Sequence, residues 1–153
     1  MNNLNLTMIY NKINFINRYK KISLNHNNFK ERLDGNKKEI YDKILSKYNY
    51  QIKYFKKETF YKIEEKFEDV IFTIQLVLKD GIIEPMLYVK LGDKYIEPDH
   101  RFDSICEKLD STFSRRDFPI PKYGSENELK EVLDDIFSIY EDFKREVLNT
   151  ILG

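Results

Sequence analysis

The feature that most constrains this chain is a period-two run, Val70-Ile71-Phe72-Thr73-Ile74-Gln75-Leu76-Val77-Leu78, closed by Asp80-Gly81 and answered by Ile82 to Leu91. Alternation of large apolar side chains makes one face of an extended strand sticky. A two-residue Asp-Gly turn favours positive φ at both positions and returns the chain antiparallel. A hairpin is therefore predicted at the centre of the molecule. The period of two holds from Ile52 to Ile96; within it Thr59 to Phe67 reads as an earlier strand, and Gly92-Asp93 turns the chain once more into Lys94-Tyr95-Ile96. Three or four antiparallel strands are expected. Pro85 has no N–H for a ladder and belongs at an edge or a bulge.

Helical periods flank this sheet. Leu6, Ile9, Ile13 and Ile16 predict a helix over about 5–20, and Phe29 and Leu33 suggest another turn before Gly35. Asn36 and Glu39 form a capping box ahead of a helix over about 37–48. After Pro98, the residues Phe102, Ile105, Cys106, Leu109 and Phe113 share one helical face, and the Phe118-Pro119-Ile120-Pro121 stretch must end it. Ser125 and Glu128 cap a long final helix whose stripe runs Leu129, Val132, Leu133, Ile136, Phe137, Tyr140, Phe143, Val147, Leu148 and Ile151. The expected fold is one α+β domain over 1–153: N-terminal helices, the sheet, a short helix, and the long helix packed across the sheet.

Composition sets the bounds. The chain has 153 residues, no alanine and no tryptophan, and 10 of its 13 asparagines lie in the first 36 positions, as an AT-rich coding genome would give. One cysteine and two histidines exclude a disulfide framework and a Cys/His zinc site. No apolar run of about 18 residues is present and the first residues lack a secretory pattern, so a cytoplasmic protein without a membrane span is expected. Five scattered glycines allow neither a P-loop nor a dinucleotide fingerprint.

Formal charge is zero over the whole chain, but residues 1–57 carry 13 Lys plus Arg against 4 Asp plus Glu, and the remainder carries 13 against 22. Such asymmetry speaks to partners rather than to fold. On the last helix Glu131, Asp134, Asp135, Glu141 and Asp142 lie opposite the apolar stripe, and Glu97, Asp99 and Asp103 follow the sheet. A docking surface for a basic partner is the functional reading, and a solvated helix face is the bland one. The basic third interleaves Lys53, Lys56 and Lys57 with Tyr48, Tyr50, Tyr54 and Phe55, a composition suited to nucleic acid. A near-neutral sequence pI and the lack of an RRM or helix-turn-helix pattern favour pairing of this basic region with the acidic remainder of the chain instead.

Catalytic signatures are weak. Asp69, Glu84 and Lys90, with Glu64-Glu65-Lys66, match no nuclease motif, and a charged outer strand face explains them. No EF-hand pattern is present, so neither a metal nor another cofactor is expected. Asp99-His100 implies no nucleophile, and Cys106 reads as a small core residue.

The sheet of Thr59 to Ile96, then Phe118-Pro119-Ile120-Pro121-Lys122-Tyr123 and the helix Ser125 to Leu152, resemble in type the immunity proteins of bacterial polymorphic-toxin and contact-dependent growth inhibition systems. That class has no diagnostic motif, so no functional residue transfers. The resemblance implies a non-enzymatic protein, a monomer or weak homodimer, that binds a cognate toxin C-terminal domain and blocks its active site or substrate surface. Many such toxins are nucleases whose basic cleft suits an acidic inhibitor face, with surface tyrosines as anchors. The alternative is a nucleic-acid-binding accessory protein using the basic N-terminal third.

Overall fold

The computed structural model describes residues 4–28, 30–35, 37–98 and 100–152. Strands β2 (Phe60–Phe67), β3 (Val70–Lys79) and β4 (Ile82–Leu91) form an antiparallel meander. It is widened by β1 (Ile52–Phe55) on β2 and by the two-residue strands β5 (Lys94–Tyr95) and β6 (His100–Arg101) on β4. The sheet runs β1-β2-β3-β4-β5 with β6 also on β4, wider than the three or four strands expected. Strand β1 begins where the period of two begins, at Ile52, whereas β6 is two residues long and has no periodicity of its own; its neighbour β4 recruits it.

The central hairpin forms as its residues dictate. Asp80 and Gly81 both take positive φ, 55° and 71°, the requirement of a type I′ turn. Gly81 is also sterically obligatory, because a Cβ there would lie 2.5 Å from the Arg32 Cβ and 2.9 Å from the Tyr123 carbonyl oxygen. Pro85 occupies an edge position. Ile83 N–H donates outward to the Pro121 carbonyl at 3.1 Å, so the nitrogen of Pro85, two residues on, also faces away from β3.

The N-terminal helix is broken rather than continuous: α1 is Leu6–Lys12 and α2 is Phe15–Asn25, with Asn14 left-handed at φ 60°. Ile13 and Phe15 explain the break. Both are buried, yet residues two apart on one helix point to opposite sides, and re-phasing the chain at Asn14 buries them together. The expected turn at 29–33 is not helical over its described residues, and Phe29 lies outside them. Its backbone is committed elsewhere: Leu33 N–H donates to the Tyr123 carbonyl and Gly35 carbonyl accepts from Asp80 N–H, both at 3.0 Å. Helix α3 (Lys38–Leu45) ends earlier than expected, and Asn36, proposed as its cap, lies outside the described residues. Helices α4 (Phe102–Leu109) and α5 (Glu126–Leu152) follow, with Ser125 Oγ accepting the Glu128 N–H at 3.1 Å.

Helix α5 lies against one face of the sheet, which is lined by Tyr61, Ile63, Phe72, Ile74, Leu76, Ile83, Leu87 and Val89. A chain of rings ties the helices to one another and to the sheet: Phe72 to Phe143, Phe143 to Tyr10, Tyr10 to Phe15 and Phe15 to Phe102, with centroids 4.8–6.0 Å apart. Such offset and edge contacts add about 0.5–1.5 kcal/mol each beyond area burial. An ion pair enters this layer. Lys144 of α5, with an 8% exposed side chain, donates to Glu65 of β2 at 2.6 Å and sits 4.6–5.8 Å from the rings of Tyr140, Tyr50 and Phe67. No helix of the described chain is long and apolar enough to cross a membrane.

Candidate interaction surface

The carboxylates of α5 do share a solvent-facing strip, but most of them are already engaged. Asp142 accepts from Arg18 of α2 at 2.8 Å and pairs with Arg145 at 3.0 Å. Asp134 accepts from the Tyr48 hydroxyl at 2.5 Å and pairs with Lys130 at 3.4 Å. Glu141 accepts from the Tyr50 hydroxyl and pairs with Lys144 at 2.9 Å. Glu131 and Asp135 form no ion pair with any described residue, and Asp135 faces a small cleft of about 140 Å³ beside Arg18 and Lys21. The basic N-terminal region thus neutralises part of the strip, and Lys12 on Glu146 at 3.0 Å adds to it.

The acidic residues after the sheet do not join the strip. Asp103 is a correction: it is 3% exposed, in the first turn of α4, where it accepts from Arg101 at 2.7 and 3.1 Å with Arg115 at 3.8 Å. Two guanidinium groups drawn onto one buried carboxylate make it a structural knot. Glu97 stays exposed and pairs with Lys108 at 2.7 Å. Asp99 lies outside the described residues.

A better-formed feature lies along one edge of the strip. Between α3 and β1 a cleft of about 390 Å³ is lined by Lys38, Asp42, Tyr48, Tyr50, Tyr54 and Tyr61 together with Leu45 and Ile52. The local sequence explains it: Tyr48, Tyr50, Ile52 and Tyr54 alternate, so the chain leaving α3 turns one aromatic row the same way. This row was legible as a period of two, but it was hidden among the lysines of the basic third. The rings are seated firmly. Tyr48 and Tyr50 pack on Phe137 of α5 at 4.5 and 4.9 Å, and Tyr54 packs on Tyr61 at 4.7 Å.

Three hydroxyls at this cleft meet a carboxylate: Tyr48 with Asp134, Tyr50 with Glu141, and Tyr61 with Asp42 at 2.8 Å. Burial, and then the carboxylate each bonds, push all three phenols above their ordinary range. Asp42 sits below its ordinary range; burial opposes this, but hydrogen bonds from Lys38 and Tyr61 outweigh it. Lys38 demonstrates what the cleft does to a cation. Its ammonium donates to Asp42 at 2.6 Å and stands 4.7 Å over the Tyr54 ring.

The residues considered for catalysis do not converge. Glu64 projects from β2 and Glu84 from β4 on the outer side of the sheet, two strands apart, whereas Asp69 is in the β2–β3 turn with its carbonyl accepting from Gly92 at 2.9 Å. Among the described residues no group of three His, Cys, Asp or Glu side chains is placed to hold a metal ion. His26 is bonded through Nδ1 to Glu128 at 3.0 Å, tying the loop after α2 to the start of α5. Cys106 is fully buried and its thiol is pushed up to about 12 by that burial. No protein-family model, curated protein or solved structure matches the chain.

Proposed function

We propose that this chain is a non-catalytic immunity protein, which binds a cognate bacterial toxin domain and covers its active site or substrate surface. The observation that carries the reading is the tyrosine-lined cleft bordered by Asp42, Asp134 and Glu141. Tyrosines dominate binding hot spots because they supply large contact area with few rotors. These rings are already immobilised against α5 and β2, so ordering them on association costs little. Carboxylates beside the rings, with Glu131 and Asp135, which form no ion pair with a described residue and flank Asp134 on α5, favour a basic partner surface. A nuclease domain offers such a surface where it holds its own substrate, and a protein seated there excludes nucleic acid directly.

The test is affinity capture of the tagged protein from its native cytoplasm, followed by mass spectrometry and expression of the captured domain alone and with this protein. The expected result is one toxin C-terminal domain that arrests growth alone and is harmless with this chain. Tyr48→Ala and Asp134→Lys should each weaken that pair at least about tenfold, as hot-spot losses do. A captured domain that is not toxic, or a complex indifferent to both substitutions, refutes the assignment.

A further inference from the structure

The other side of the sheet carries a second surface of opposite character. The outward positions include Phe55 on β1, Phe60 and Lys62 on β2, Ile71 and Gln75 on β3, and Met86 and Tyr88 on β4, and the contacts among them are mutual. Phe55 and Tyr95 keep 37% and 57% of their surface exposed at opposite margins.

Charge on this face is lopsided. Lys53 stands directly across from Lys62, and Lys66 and Lys90 flank Ile71 in a row nearer the other end. Like charges directly opposite on neighbouring strands destabilise a sheet. The outward carboxylates Glu64 and Glu84 are occupied by Lys62 at 3.5 Å and Arg101 at 3.4 Å, while Lys53, Lys66 and Lys90 form no ion pair with a described residue. Two of the cations lie by the exposed rings: Lys62 5.9 Å from Phe55 and Lys90 5.5 Å from Tyr95. Lys53, Phe55 and Lys62 with Gln51 and Glu64 enclose a cleft of about 240 Å³, and Lys56 and Lys57 extend the positive charge into the adjoining turn.

We propose that this outer face binds a single-stranded nucleic acid, its lysines on the phosphates and Phe55 and Tyr95 stacking on unpaired bases. A polyanion adds negative charge beside Lys53 and Lys62, of which only Lys62 has a carboxylate partner, Glu64, and flat rings on an open sheet fit the π-faces that only unpaired bases expose. From β1 to β5 the face spans about 19 Å at ordinary strand spacing, room for several nucleotides. Acidic protein is the competing occupant, but it makes no use of the rings by stacking.

The experiment is fluorescence anisotropy of the full chain with a labelled single strand of about 12 nucleotides, DNA and RNA in turn, at about 50 mM salt. Binding should weaken steeply with salt. The double variants Lys53→Gln/Lys62→Gln and Lys66→Gln/Lys90→Gln should each lower the salt slope by about 1.5 and the affinity at least about tenfold. Tyr95→Ala, outside the β1–β2 register, should weaken binding about 5- to 100-fold with the slope unchanged, and Tyr48→Ala, on the other surface, should leave it intact. Circular dichroism confirms that each variant is folded. The inference fails if no binding occurs at that salt, if the outer-face variants bind as well as the parent, or if a duplex or poly-glutamate binds as well as the single strand.

Discussion

Substitution of Lys144 by methionine removes the cation of the ion pair set into the helix–sheet layer. Its ammonium holds Glu65 at 2.6 Å and Glu141 at 2.9 Å, with side chains 27% and 51% exposed respectively. Methionine fills a similar slot among the same rings and removes only the charge. Removing one partner of a buried pair costs about 3–5 kcal/mol. Glu65 keeps partial hydration and the Tyr140 hydroxyl at 2.7 Å, which reduces the expected loss to about 2–3 kcal/mol. Glu141 contributes little because water screens it. In a chain of this length each kcal/mol moves the Tm by about 2–4 °C, so a fall of about 4–12 °C is expected. Glu65→Gln retains an acceptor for Tyr140 and should cost about 1–2 kcal/mol. The double variant should then be less damaging than the sum by about 1–2 kcal/mol, the coupling that a double-mutant cycle reads. Urea unfolding followed by far-ultraviolet circular dichroism measures all four proteins. A Lys144→Met variant within about 0.5 kcal/mol of the parent, or strict additivity in the cycle, refutes the argument.

Three further outcomes follow from named sites. Gly81→Ala forces an L-residue into φ 71° with its Cβ 2.5 Å from Arg32, so it should cost about 2–4 kcal/mol; Gly92→Ala at φ 62° meets no atom within 4 Å and should cost only about 1 kcal/mol, a contrast that denaturant titration resolves. Tyr19, Tyr123 and Tyr140 are held above their ordinary 10, chiefly by burial. Above pH 10 the unfolded chain loses protons that the folded one retains, so stability is intact below that pH and falls by about 1.4 kcal/mol per pH unit for each such phenol. Unfolding curves at pH 9 and 11 should differ by at least about 4 kcal/mol, and equal stability at the two pH values would contradict this. Cys106, with its thiol pushed up to about 12 and no exposed surface, should react with a thiol reagent only as fast as the protein unfolds, which a parallel measurement of labelling and unfolding rates decides.

What the sequence disclosed depended on whether a residue's fate is set by its neighbours in the chain. The hairpin at Asp80-Gly81 and the stripe of α5 are local periodicities, and both appear with the expected residues inward. The break at Asn14 needed the knowledge that Ile13 and Phe15 face one core, and strand β6 exists because β4 offers an edge to it. The same limit applies to the surface. A helical wheel places Asp134, Glu141 and Asp142 on the exposed side of α5, but only the fold brings Tyr48, Tyr50 and Arg18 to them across more than 80 residues of chain. Asp103 shows the reverse error, since an acidic residue in the first turn of a helix reads as exposed until Arg101 and Arg115 close over it.

Strand β1 is where the two surfaces meet, and its alternation keeps them separable. Tyr54 turns toward the helix layer and joins the cleft, whereas Lys53 and Phe55 turn to the open face. The strand is only four residues long and is paired on one side, to β2. A single-residue slip in that pairing would exchange the two sets, putting a lysine beside Asp42 and a tyrosine among the outer lysines. The stacked pair Phe55 and Phe60 at the end of the register, and Ile52 opposite Ile63 at its start, hold it against that slip. Replacing Phe60 should therefore disturb both surfaces together, through register, whereas changes at Tyr48 or Lys62 should disturb one alone.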